Sequence, residues 1–558
     1  MKVKIIINIL LFITVSICFL SCSKVPDIIY INGKIYTLDD NNTVAEAVAV
    51  RDGKVMDIGK SEELLDKYKI PNTIDLEGNT VIPGLIDCEG SLIEFSQNYS
   101  FVADLRAAKN LADINTIFKQ KIKISNEGSW ISGFYFIEQN FNASDLNKID
   151  RYFLDSVAPN HNIYIVSYFL PVVICNSKAL NTLKIDKNTK VPSGGEIEID
   201  EKGELTGRFF ESATNLIKEK IPKEPSKEDM LRAVELGANE MIKNGVTCVQ
   251  DRTVGLEGIN IFKKLIDEDK FPLRIYAVLS AGDTAYYQYI NKGIEVNYKD
   301  KLTIRAVSLD YDGAFIFKES KMIDEYKDKS TVKGEYSTDE EVEKIFRDCL
   351  EKRFQVRIKT VGDKAVRNVI AVIEKVLKEK NINEHRTVFE YIQFTRPEEI
   401  SKIKELKIIP SVVPAIPFSE LDSISKFISP ENLKNLALWN FLVKECGLIT
   451  CGSDFPYQPV NPFVHIYLLV TRQFPDTMRT DIPSPNQKLS IYEALKSYSK
   501  WAAFSAFEEE SRGTLEKGKY ADMVVISNDI FTSEPAALLS TKVLMTILNG
   551  KIVYNSEE

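Results

Sequence analysis

The chain has 558 residues, 44% of them hydrophobic and 27% charged, which excludes a disordered chain and a disulfide-stapled miniature fold and leaves material for two or three domains. Lys and Arg number 71 against 80 Asp and Glu, a net charge of −9; with no basic excess to neutralise phosphates, nucleic acid is not an expected partner. Only three histidines occur, His161, His385 and His465, too few for most binuclear hydrolase sites.

The N-terminus reads as an address. Lys2 and Lys4 precede an apolar run from Ile5 to Leu20, and Phe19-Leu20-Ser21-Cys22 has the form of a bacterial lipobox. The run falls short of a bilayer span of roughly 20 residues. A signal peptide over 1–21, a lipid on Cys22 and a membrane-tethered body outside the cytoplasm are therefore expected. Cleavage removes both lysines and no acid, so the tether rather than surface charge would hold the body at an anionic membrane. Cys88, Cys175, Cys248, Cys349, Cys446 and Cys451 remain, none in a C-x-x-C pair; buried free thiols are expected, with disulfides as the alternative for an exported chain.

Both ends carry short strands. Ile31-Asn-Gly-Lys-Ile-Tyr36 and Leu548-Asn-Gly-Lys-Ile-Val-Tyr554 each read as a hairpin, with Asn32-Gly33 and Asn549-Gly550 suited to type I′ turns, and Asp52-Gly53 joins alternating strands at 45–50 and 54–58. A small β-sandwich built from 23–79 and 513–558 is expected. Between the ends, apolar strand-like runs alternate with amphipathic helices. The runs are Thr80–Cys88, Gly245–Arg252, Arg274–Ala281, Leu302–Asp312, Phe354–Gly362, Arg386–Gln393, Lys407–Pro414 and Leu448–Pro456. Ser337-Thr-Asp-Glu340 reads as a capping box, and Lys364–Lys380 carries Val366, Val369, Ile370, Ile373 and Val376 on one stripe. Eight such runs predict an α/β fold, a (β/α)₈ TIM barrel over 80–512, with active residues at the C-terminal tips of the strands. Residues 91–225 are too many for one loop and predict an inserted α/β subdomain over that face.

The order and spacing of several motifs resemble the amidohydrolase superfamily, in its family 3 branch. They include Gly78-Asn-Thr-Val-Ile-Pro-Gly-Leu-Ile-Asp87, Trp130-Ile-Ser-Gly133, Asn176-Ser177-Lys-Ala-Leu180, Pro192-Ser-Gly-Gly195, Gly203-Glu-Leu-Thr-Gly207 and Gly245-Val-Thr. Asp312-Gly313, Gly362-Asp363-Lys-Ala365, Glu390, Gly452-Ser-Asp-Phe-Pro456 and Gly513-Thr-Leu-Glu-Lys-Gly-Lys-Tyr-Ala-Asp522 complete them. The resemblance implies hydrolysis of non-peptide C–N bonds, with a divalent metal, usually zinc, activating water. It also implies ligands at fixed places: His-x-His after the first barrel strand, often Lys on a middle strand, His after the fifth and sixth, Asp after the eighth. Carried over, those places fall on Glu89 and Ser91, Ser308, Lys359, Tyr391 and Asp454. Only Asp454 matches.

An ammonium is repelled by a divalent ion, so Lys359 is expected to replace metal charge in a Glu89–Lys359–Asp454 contact. Asp454 and Lys359 are the candidate catalytic residues, with Asp312, Glu390, Tyr168 and Phe169 as candidate pocket residues and no metal or other cofactor expected. Three functions stay open. One is a barrel that has lost metal catalysis and binds a small, amide-like organic ligand or a partner on the outer surface. Another is an active C–N hydrolase with an altered site, in which Glu89, Asp251, Asp312, Glu390 and Asp454 favour Mg²⁺, Ca²⁺ or Mn²⁺. The third is metal-free chemistry on a Lys359 amine.

Overall fold

Eight parallel strands form the central barrel, in the order Leu85–Gly90, Val246–Asp251, Arg274–Ser280, Leu302–Asp310, Gln355–Lys359, Val388–Glu390, Ile409–Val412 and Thr450–Cys451. This computed structural model describes residues 25–557 apart from Pro71, Thr331, Asn381, Asn383 and 476–482; the expected signal peptide and Cys22 lie outside these residues. The first and eighth strands meet through a parallel bridge between Gly90 and Phe455, and Glu89 O accepts from Asp454 N at 2.6 Å. A short strand, Glu295–Tyr298, adds to the outside of the fourth by antiparallel pairing.

Each strand is separated from the next by helix, so the apolar runs are buried on both faces, as parallel sheets require. Helix Asp339–Lys352 buries Val342, Phe346 and Cys349, and helix Asp363–Lys380 buries the stripe read from the sequence. The capping box is displaced by one residue. Thr338 and Glu341 form it, because Ser337 N donates to Asp310 O and is thereby held to the fourth strand.

Residues between the first and second strands build a mixed six-stranded sheet. Its strands are Val102–Asp104, Trp130–Phe136, Asn162–Ser167, Val172–Cys175, Gly195–Ile199 and Leu205–Glu211. One face packs Phe118, Ile131, Phe136, Ile163 and Ile165; the other packs Val173, Cys175, Leu180 and Phe209. Alternation along the strands thus gives this insert two cores.

The barrel and insert fall in one unit, Ile86–Ser490; the chain up to Leu85 and Ile491–Glu558 form another. In the latter, a four-stranded and a six-stranded sheet share a core containing Tyr30, Val48, Ile35, Val81, Met523 and Ile547. Thr80–Pro83 pairs with Met523–Ile526 and Lys34–Tyr36, so this run ends in the sandwich and the barrel begins at Leu85, not Thr80. Helices Ile491–Ser497 and Lys500–Ser505 also belong to this unit, which therefore takes in residues ahead of Gly513. Asn549-Gly550 and Asp52-Gly53 turn true hairpins, with φ of 51°, 67°, 50° and 74° in that order. Asn32-Gly33 does not. Of the two only Asn32 takes a positive φ, and the strands flanking the pair, Ile28–Ile31 and Lys34–Tyr36, enter different sheets.

Candidate active site

The inward faces of the barrel strands carry charge. On the fifth strand Gln355, Arg357 and Lys359 alternate with buried Val356 and Ile358, and the two-residue period places all three polar side chains on one face. Arg357 is 1% exposed. Its Nε donates to Glu390 Oε1 and one Nη to Gln250 Oε1, both at 2.5 Å. The other Nη reaches Cys88 O at 2.9 Å and Glu89 Oε1 at 3.4 Å. One guanidinium thereby ties together the first, second, fifth and sixth strands.

A second guanidinium continues the chain of charge. Arg252 donates through Nε to Glu390 Oε2 at 2.6 Å and pairs with Asp310. Glu390 is fully buried with an arginine on each oxygen. Burial opposes its charge, but Arg252 and Arg357 outweigh that penalty and hold its carboxyl below the usual range. Glu89 is raised to about 8 by burial and then by repulsion from Glu390, against Arg357 and Arg252. It accepts from Ser411 Oγ at 2.7 Å, and its second oxygen has no partner. Repulsion between the two buried carboxylates thus favours the protonated form of Glu89, while the two arginines keep Glu390 ionised.

Lys359 takes no part in this network. Among the described residues no carboxylate lies in ion-pair contact with it; its ammonium sits 4.8 Å above the Tyr391 ring. The expected Glu89–Lys359–Asp454 contact is therefore not formed. Arg357, one inward position deeper, meets Glu89, and Tyr391 meets Asp454 through its hydroxyl. Tyr391 and Asp454 both hold left-handed backbone, φ 56° and 63°, a conformation that costs roughly 1 kcal/mol or more outside glycine and is kept only where surroundings enforce it. Burial raises Asp454 to about 6, against Tyr391, Lys359 and Arg252. Beside it Glu420, on the loop after the seventh strand, is raised to about 7 by burial and by Asp454.

The family of the chain follows from comparison with known proteins. The Amidohydrolase family profile matches residues 72–554. The chain belongs to the amidohydrolase family. A putative amidohydrolase, YtcJ of Bacillus subtilis, is 27% identical over 537 residues, spanning 94% of this chain and 99% of the relative. An N-substituted formamide deformylase of Arthrobacter pascens is 25% identical, spanning 95% and 99%. Among solved structures, an uncharacterized metal-dependent hydrolase from Pyrococcus furiosus superposes with TM-score 0.69 at 22% identity, covering 91% of this chain and 99% of that one.

In this amidohydrolase barrel the expected site positions converge only in part. Glu89, Glu390 and Arg357 lie inside, with Tyr391, Asp454 and Lys359 toward the mouth. Ser308 sits apart on the fourth strand, bonded to Leu279 O at 3.4 Å. Ser91 N is tied to Phe455 O. Asp312 is a loop clamp, accepting from the backbone N–H groups of Val361, Gly362 and Lys321 at 2.7–2.9 Å. Tyr168 and Phe169 lie on the insert, 56% and 61% exposed, in an edge-to-face pair. The histidines are buried elsewhere: both ring nitrogens of His385 meet Thr387 and Leu406, and His465 meets Pro459 O. All six thiols beyond Cys22 are free, five of them buried. Among the described residues no group of three or more His, Cys, Asp or Glu is placed to hold a metal ion. Sequence reasoning missed Arg252 and Arg357. The signal available was the alternation Gln355-Val-Arg-Ile-Lys359 inside a strand expected to be wholly buried.

Proposed function

We propose that this amidohydrolase-family barrel binds a small organic ligand and no longer performs metal-assisted hydrolysis, its divalent charge having been exchanged for a fixed guanidinium. Arg357 carries the reading: a buried cation within bonding distance of Glu89 and Glu390. The donor set does not fit a divalent ion. Both oxygens of Glu390 are engaged by arginines, Glu89 is raised toward its neutral form, and no imidazole stands at Glu89, Ser91, Lys359 or Tyr391. Two like charges about 4 Å apart repel by roughly 4 kcal/mol at an effective dielectric near 20, and more for a divalent ion. No hydrolytic step is therefore assigned.

The mouth still offers recognition groups. Lys359 presents an ammonium, and Asp454 and Glu420 present carboxyls of altered acidity, a set able to hydrogen-bond the polar end of an amide-like molecule. The lipobox at Cys22 supports a membrane-tethered location in the cell envelope.

The test is metal content by mass spectrometry on protein purified without chelator, together with turnover of an N-substituted formamide with and without added zinc. Metal well below one ion per chain and no turnover are expected. One bound zinc per chain with turnover would overturn the proposal.

A further inference from the structure

Two cavities adjoin beside the first two barrel strands, and their walls differ in chemistry. The larger, about 540 Å³, lies between the insert and the helix Leu92–Phe101, with Phe101, Trp130 and Tyr164 in its wall. Trp130 and Tyr164 meet edge to face at 6.1 Å, a surface suited to an aryl or alkyl group. The smaller, about 250 Å³, reaches the tip of the second strand and is lined by Glu94, Glu224, Asp251 and Glu257. Among the described residues its one cation, Arg252, is already committed to Glu390 and Asp310. Gln97, Glu224 and Pro225 line both cavities, and Gln97 Nε2 donates to Glu224 Oε2 at 3.2 Å where they meet.

Asp251 is the feature that points to a ligand. It is 1% exposed, one oxygen accepts from Leu92 N at 2.9 Å, and the other is buried with no partner although its residue lines the smaller cavity. A buried carboxylate oxygen left unpaired is costly, and a charged donor reaching it offsets that cost.

We infer that the paired cavities form one site for an amphipathic amine, with its ammonium against Asp251 and its apolar body against Phe101, Trp130 and Tyr164. The inference rests on the ligand-binding reading above and adds the ligand's class and place. The acidic rim of Glu94, Glu224 and Glu257 draws the cation inward. The aromatic wall then favours an aryl or alkyl chain over a small polyol.

Helix Leu92–Phe101 sets Asp251, at its start, about 13 Å from the aromatic wall at its end, so titration calorimetry on the full chain tests this with 8-phenyloctylammonium, neutral 8-phenyloctanol and methylammonium. The first should bind at least about tenfold more tightly than the other two, the share of one charge-assisted hydrogen bond or one buried ring. Asp251→Asn keeps the acceptor for Leu92 N and should erase the advantage over 8-phenyloctanol. Trp130→Ala should erase the advantage over methylammonium. Glu224→Gln, at an exposed residue that poses no folding risk, should weaken the ammonium ligand alone. Equal affinities for the three probes, no binding, or binding untouched by these substitutions would overturn the inference. Hydrolysis does not enter this assay: formamide turnover would defeat the preceding proposal, while the amine site stands or falls on the affinities.

Discussion

Replacing Arg357 with Met should destabilise the barrel unit by about 3–5 kcal/mol, the range for removing one partner of a buried charge network. The two side chains are close in volume, so packing changes little. What disappears is the donor set. Gln250 Oε1, Cys88 O and Glu89 Oε1 lose contacts of 2.5, 2.9 and 3.4 Å, and each buried group left unpaired costs about 1–3 kcal/mol. Glu390 loses one arginine but keeps Arg252 at 2.6 Å, and Glu89 keeps Ser411, so the total falls short of the sum over bonds. Equilibrium urea unfolding measures it, with Lys359→Met as the internal control. Lys359 is half-buried and lies on the same face two residues away, with no carboxylate in ion-pair contact, so its replacement should stay within about 1 kcal/mol of the parent. If the two variants were equally stable, or Arg357→Met lost less than about 1 kcal/mol, Arg357 would not be the cation that holds the strands together.

Other outcomes follow from the same charges. The folded Glu89 carboxyl, near 8, lies above its ordinary value of 4.5; the folded chain holds a proton that the unfolded chain releases, so stability falls as pH rises from about 5 to 8. Asp87 and Asp251, each raised to about 7 by burial, add in the same sense. Glu89→Gln should flatten that slope, and a difference between parent and variant that is constant from pH 5 to 9 would contradict it. Tyr391→Phe removes the hydroxyl bonded to Asp454 and should cost about 1.5–3 kcal/mol in urea unfolding, as expected for a hydrogen bond to a charged group. In the sandwich unit, burial opposes the charge of Asp57, but Lys517, Lys67 and Tyr68 outweigh it and hold the carboxyl below its usual range. Its contribution is full above pH 4 and declines progressively as pH falls below it, so the stability lost in Asp57→Asn should be larger at pH 7 than at pH 2.

Periodicity made the barrel legible. Eight apolar runs of strand length, each set off by a helical stripe, left few architectures open, and all eight runs supply strands. Local ambiguity defeated finer reading. Ser337 and Thr338 each have a Glu three residues on, and a tertiary hydrogen bond to Asp310 O decided between them. Asn32-Gly33 has the composition of a tight turn, yet its flanking strands enter different sheets, Ile28–Ile31 pairing with Ala47–Arg51 and Thr73–Asp75 and Lys34–Tyr36 with Val44–Ala45 and Thr80–Pro83. At the site, carrying ligand positions over one by one drew attention to Lys359. Burial then separated two cations of the same strand: the deeper one, Arg357, lies within reach of carboxylates on two other strands, Glu89 on the first and Glu390 on the sixth, and the shallower one lies over a ring. Sequence separation hides that difference, since Glu89 and Arg357 meet only when the first and fifth strands face each other across the barrel.

The sandwich sheet has a consequence for biogenesis. Thr80–Pro83 pairs on one side with Lys34–Tyr36 and on the other with Met523–Ile526, a partner translated more than four hundred residues later. Until the last segment arrives, the early strands keep a bare hydrogen-bonding edge, which is a template for wrong pairing. Chains truncated before residue 523 should accordingly recruit holding chaperones, and arrival of that segment marks the moment when the sandwich can first close.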